Sequence, residues 1–242
     1  MLTLSPEKLL AVWEAGREQH ELDRALTLLG AGTPGVSRAE LASLTIGERD
    51  TRLLRMRAQL FGPRAEGFAE CPECSARVEL PIDTALFESS APPPPSNHAF
   101  ECDGLRIRFR APTTLDLASV IAADDAEAGL RRLVEQCVLE VANGSPDHSR
   151  DLSPEALDTL GEAVLAADPQ SEINLALSCP ECGHPWTLLF DVADFLWNEL
   201  AAQARRVLHE VDVLARAYGW SEREILSLSP QRRQSYLEMI GG

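Results

Sequence analysis

The 242-residue sequence contains one lysine, Lys8, among its 22 basic residues. Positive charge is therefore almost wholly arginine, whose planar guanidinium forks onto carboxylates where an ammonium makes flexible point contacts. Basic groups are also outnumbered, 22 against 38 acidic ones, for a formal charge of −16. That balance fits poorly with a nucleic-acid partner, because affinity for phosphates rests on basic side chains that release counterions. Long apolar runs are missing, and no stretch approaches the roughly 18 to 20 residues that span a bilayer, so no membrane partner is expected. The opening Met1-Leu-Thr-Leu-Ser5 lacks the basic and apolar regions of a signal peptide, and a soluble protein made in the cytoplasm is the expectation.

Catalytic motifs are equally scarce. His209-Glu210 is followed at position 213 by Val213, so the zincin pattern fails. A deaminase-type His-x-Glu with Pro-Cys-x-x-Cys does not occur, nor does a glycine-rich phosphate loop or a nucleophile elbow. The many carboxylates fall on helical patterns, where a solvated face explains them. The sequence reads as non-enzymatic, with no catalytic residues and no small-molecule substrate.

What the sequence does hold is a duplicated tetrapeptide, Cys71-Pro72-Glu73-Cys74 and Cys179-Pro180-Glu181-Cys182. Thiolates two residues apart in a tight turn can take two corners of a zinc tetrahedron, and two such turns complete it. Cys71, Cys74, Cys179 and Cys182 are therefore the expected ligands of one structural Zn²⁺ per chain, with His184 as an alternative ligand. Gly183 supplies the left-handed residue such a knuckle needs, and Ser75 holds the equivalent place in the first copy. A redox dithiol would instead need its first cysteine at a helix N-terminus, whereas each pair here is followed by a strand pattern. Metal-free pairs remain the third reading. Cys102 and Cys137 read as small buried apolar residues.

The expected fold class is α+β. Residues 1–65 form a helical module with N-cap signals at Ser5-Pro6-Glu7, Ser37-Arg-Ala-Glu40 and Thr45-Ile-Gly-Glu48, a helix from Glu21 stopping at Gly30, and an end at Gly62-Pro63. Residues 66–88 and 169–192 are two halves of a split zinc-ribbon-like unit, each a β-hairpin with a cysteine pair at its tip. Between them lie a proline-rich linker at 89–97 and a small inserted α+β lobe at 98–168. That lobe holds a hairpin around Asp103-Gly104, a helix over about 126–141 with Leu130, Leu133, Val134, Cys137, Val138 and Val141 on one face, and a helix from Ser153-Pro154 to Ala167. Residues 193–242 form a long helix from about Asp194 to Tyr218, ended by Gly219, and a helix-loop-helix. The apolar seam Leu196, Leu200, Ala204, Val207, Val211, Leu214, Tyr218 suits either another protein or the helices of 1–62.

The C-terminal run Ala217-Tyr-Gly-Trp-Ser-Glu-Arg-Glu-Ile-Leu-Ser-Leu-Ser-Pro-Gln-Arg-Arg-Gln-Ser-Tyr-Leu-Glu-Met-Ile240 resembles the tail of baseplate proteins of contractile phage tails and phage-tail-like injection systems. This is the group related to the T-even phage baseplate hub assembly chaperones. Leu60-Phe-Gly-Pro63, the two cysteine hairpins, Arg110-Ala-Pro-Thr113 and the long helix extend the resemblance over most of the chain. It implies an assembly factor or structural component of a baseplate hub, with baseplate, hub or spike proteins as partners. The place implied is the cytoplasm of the producing bacterial cell or the assembled particle. Trp220 and Tyr236 are the candidate partner-binding residues, since Trp220 sits between a C-cap glycine and an N-cap serine and Tyr236 lies near the chain end; the other reading is that both rings pack on the long helix and close the domain. The alternative reading is an intracellular zinc-ribbon adaptor or transcription-associated protein that inserts the helix after Ser229-Pro230 into a groove.

Overall fold

A computed structural model describes residues 4–87, 97–102, 105–121, 123, 125–141 and 152–241. The proline-rich linker, apart from Asn97, and the Asp103-Gly104 turn lie outside the described residues.

Four helices open the chain. The Ser5 hydroxyl accepts the Lys8 amide at the start of α1 (Pro6–Gly16), and His20 Nδ1 accepts the Leu22 amide at the start of α2 (Glu21–Gly32). Helix α2 does not stop at Gly30. That glycine keeps a negative φ, and the helix ends where the Thr33 hydroxyl donates to the Leu29 carbonyl. Both expected capping boxes form, Ser37 with Glu40 before α3 (Arg38–Ala42) and Thr45 with Glu48 before α4 (Ile46–Phe61). Gly62, at φ +89°, ends α4, a backbone conformation that disfavours residues bearing a Cβ.

Strands β1 (Arg64–Glu70) and β2 (Arg77–Asp83) pair antiparallel, and β2 buries Val78, Leu80 and Ile82 while exposing the residues between them. Next comes a 3-10 turn at Thr84–Phe87, then the strands β3 (His98–Cys102) and β4 (Leu105–Phe109). Helices α5 (Thr114–Val120) and α6 (Ala126–Cys137) follow, then β5 (Val138–Val141) and α7 (Pro154–Ala167). The expected helix over 126–141 is therefore half right. It breaks at Cys137 because Val138-Leu-Glu-Val141 pairs antiparallel with β4 and completes the sheet β3-β4-β5. Two β-branched residues in four suit a pleated ladder. Leu130, expected on the buried face, is exposed because the apolar cluster against α6 reaches only Val134 and Cys137.

The second hairpin is β6 (Asn174–Ser178) and β7 (Pro185–Leu189), followed by α8 (Val192–Tyr218), about 40 Å long. Gly219, at φ +69°, caps α8, and α9 (Glu222–Leu226) and α10 (Pro230–Gly241) pack back on it. This mixture of helices and small sheets is α+β.

Two apolar cores result among the described residues. The larger joins α1, α2, α4 and both hairpins to α8 through Leu28, Leu29, Leu53, Leu196 and Leu200, all at most 1% exposed. The seam of α8 is thus covered by the chain's own N-terminal helices along these positions. The smaller core, around Ile107, Phe109, Cys137 and Leu160, belongs to the segment between the hairpins.

Candidate metal centre

Each cysteine pair sits at the tip of its hairpin with the same backbone turn. The Cys71 amide donates to the Ala76 carbonyl and the Ser75 amide to the Cys71 carbonyl; Cys179 pairs with His184 and Gly183 with Cys179 in the same way. Ser75, at φ +58°, occupies the place of Gly183, at φ +75°, and is the one non-glycine with positive φ among the described residues. The same local chemistry has produced the same knuckle twice.

The two tips meet. All four Sγ atoms lie within 4.8 Å of one another, with Cys71–Cys182 at 3.7 Å and Cys74–Cys179 at 3.6 Å. Sulfurs held about 2.3 Å from a central zinc would stand about 3.8 Å apart, so the donor set fits a tetrahedral Zn²⁺. Four thiolates close that tetrahedron and leave no position for a reactive water. Among the described residues this is the one cluster of histidine, cysteine or carboxylate ligand atoms that converges in this way. The His184 ring is not part of it; that residue contributes backbone. Cys71 and Cys179 are buried in the main core, while Cys74 and Cys182 are exposed.

Electrostatics fit the same chemistry. The Cys182 amide, then the Glu181 amide and the Cys74 and Cys182 thiols, bring Cys179 down to about 7 despite desolvation. At Cys182 the His184 amide also lowers the thiol, but desolvation and the neighbouring thiols of Cys74, Cys179 and Cys71 outweigh it and push it up to about 12. The first thiolate formed thus disfavours the next, and a cation between the sulfurs would remove that conflict. The lone cysteines lie elsewhere. Cys137 is buried, and desolvation pushes it up to about 12, as expected of an inert packing residue.

A polar joint ties the segment between the hairpins to the first two turns of α4. The Ile46 amide donates to the Pro112 carbonyl, Thr45 bridges Thr113, and the Thr51 hydroxyl donates to Gln170. The buried Asp168 carboxylate accepts the Gly47 amide at 2.8 Å, placing negative charge on the N-terminus of α4. Neither Gly47 nor this role of Asp168 is legible in the sequence, since 121 residues separate them.

The arginines fork as their chemistry predicts. Arg57 is bidentate on Glu199, tying α4 to α8, and Arg110 is bidentate on Asp116, which also accepts from the Thr113 amide and hydroxyl. Arg233, 3% exposed, donates to Glu210 at 2.8 Å and to the Leu228 carbonyl, locking α10 onto α8. One member of the Arg232-Arg233 pair is thereby lost to any phosphate.

Trp220 and Tyr236 do meet. The Trp220 ring stacks on Tyr218 at 4.6 Å and takes the edge of Tyr236 at 4.9 Å, leaving both candidate residues half-buried. Tyr218 is the member of this trio that the partner-binding expectation omitted, and its place in the last turn of α8, two residues before Trp220, is the signal for it.

No curated protein and no solved structure matches the chain. A family model does, the one described as T4 bacteriophage base plate protein, over residues 1–197 of the 242. The match takes in the N-terminal helices, both cysteine hairpins, the segment between them and the start of α8, and it stops short of the aromatic trio. With both knuckles and the whole segment between them inside that match, the chain belongs to the T4 bacteriophage base plate protein family.

Proposed function

We propose that the protein is a non-enzymatic assembly factor or structural component of the baseplate hub of a contractile phage tail or phage-tail-like injection system. One structural zinc ion, held by Cys71, Cys74, Cys179 and Cys182, stabilises it as a split zinc ribbon around the lobe of residues 98–168. Its partners are baseplate, hub or spike proteins met in the cytoplasm of the producing cell. The observation that supports this most is the convergence of four sulfurs from two hairpins more than 100 residues apart, in a chain of a phage baseplate family. Elemental analysis of protein purified without chelator should find close to one zinc per chain, and metal-free protein would defeat the zinc reading.

The aromatic trio is the proposed contact with a partner. Aromatic anchors typically cost about 2 kcal/mol or more each when truncated at an interface. Trp220→Ala with Tyr236→Ala should therefore abolish co-purification with baseplate proteins while leaving zinc content and circular dichroism unchanged. A folded double variant that still co-purifies defeats this assignment.

Duplex DNA is not expected to bind appreciably at physiological salt, given a formal charge of −16 and the engagement of Arg233 with Glu210. A salt-dependent micromolar complex in a fluorescence anisotropy titration would favour the zinc-ribbon adaptor instead.

A further inference from the structure

At the cysteine centre the two hairpin tips meet through their sulfurs, and the two sulfur–sulfur contacts given above both cross from one hairpin to the other. Each crossing contact pairs an exposed sulfur with a buried one: Cys182 with Cys71, and Cys74 with Cys179. We propose that the centre has a second stable state, in which a peroxide oxidant replaces the zinc by two crossed disulfides, Cys71–Cys182 and Cys74–Cys179. This rests on the zinc reading, because the reduced state is the metal-bound one.

The chemistry balances with two peroxide molecules per site. The exposed thiolate attacks one oxygen of hydrogen peroxide; an S–O bond forms, the O–O bond breaks, and hydroxide leaves, giving a sulfenic acid. The buried thiolate across the gap then attacks that sulfur, forming the S–S bond as the S–O bond breaks and a second hydroxide leaves. Two sulfurs lose one electron each and the peroxide gains two. When both pairs have reacted, Zn²⁺ has no thiolate donors left and departs.

Exposure alone does not choose crossed over local pairing, since Cys71–Cys74 and Cys179–Cys182 also join a buried to an exposed sulfur. Contact geometry favours the crossed pairs, whose sulfurs already touch across the gap at 3.7 and 3.6 Å. Crossed pairs also close spans of 111 and 105 residues, which constrains the unfolded chain far more than a three-residue loop does. The oxidised protein keeps its hairpins joined without metal.

The test treats the zinc-loaded full-length protein with hydrogen peroxide, follows released zinc with a chromogenic chelator, and counts free thiols. Disulfides are then mapped after cleavage at glutamate. Glu73 and Glu181 lie between the cysteines of each pair, so such cleavage puts all four on separate peptides. The expected result is loss of one zinc per chain, a fall from six thiols to two, Cys102 and Cys137, and linked peptides for Cys71–Cys182 and Cys74–Cys179. Dithiothreitol with added zinc should restore the starting state. Disulfides within each knuckle, irreversible sulfinic acids, or zinc retained through full oxidation of the exposed sulfurs would each overturn the proposal. Zinc content before peroxide is measured separately: protein that arrives metal-free yet forms the crossed pairs removes the zinc reading and leaves the pairing standing.

Discussion

Cys74→Ser is expected to lose zinc and to lower the thermal midpoint of the whole helical body by more than about 10 °C. Cys74 is exposed, so serine there leaves no buried hydroxyl without a partner, and the effect reports on the metal alone. Structural zinc contributes apparent binding energies of about 10 to 16 kcal/mol that are coupled to folding, against total stabilities of about 5 to 15 kcal/mol. Two of the other three sulfurs, those of Cys71 and Cys179, belong to the same core as Leu28, Leu53 and Leu196, so loosening the centre loosens the packing of α1, α2 and α4 on α8. Differential scanning calorimetry with metal analysis checks this; a midpoint equal to that of the parent would count decisively against a structural metal. Replacing Cys102 or Cys137 should leave metal content unchanged, since neither joins the cluster.

Gly47→Ala should cost about 3 kcal/mol although it adds a single methyl group. An ideal Cβ on Gly47 would stand 2.0 Å from Asp168 Oδ1, far inside contact distance, and Asp168 is itself buried. The carboxylate must therefore leave, which strips the Gly47 amide of its acceptor inside the joint. Asp168→Ala alone should cost about 1 to 3 kcal/mol by orphaning that amide. Combined, the two changes should cost clearly less than their sum, because removing the carboxylate makes room for the methyl. Urea unfolding of the four proteins gives the cycle, and strict additivity would show that the clash is relieved by some other movement.

Local signals carried much of this fold. Ser37-x-x-Glu40 and Thr45-x-x-Glu48 formed the capping boxes their spacing announces, and the alternation through Arg77-Val-Glu-Leu-Pro-Ile-Asp83 became a strand with every second residue inside. The knuckle turns were equally readable, down to Ser75 standing where Gly183 stands, because a tight turn is decided by a few adjacent residues. Where the sequence misled, a distant partner had decided the matter. Val138 to Val141 continues the helical period of α6, and only β4, some 30 residues earlier in the chain (Ile107 opposite Val141), makes it a strand. The joint of Gly47 with Asp168 and the salt bridges of Arg57 with Glu199 and Arg233 with Glu210 leave no local trace for the same reason. The seam of α8 was visible as a seam, and the helices of 1–62 that cover it were one of its two expected neighbours; the apolar stripe by itself could not choose between them and another protein.

The covering of α1, α2 and α4 by α8 has a consequence in time. Those helices are complete by Phe61, yet Leu196 and Leu200, which share their core, come more than 130 residues later. At ribosomal rates of about 5 to 20 residues per second, the nascent N-terminal helices wait roughly 7 to 30 s with an apolar face uncovered. The inserted segment, whose core is drawn from residues 107–167, can collapse during that interval. The two cores can therefore close from the middle of the molecule outward, and a ribosome that stalls before Val192 holds a chain whose larger core cannot yet close.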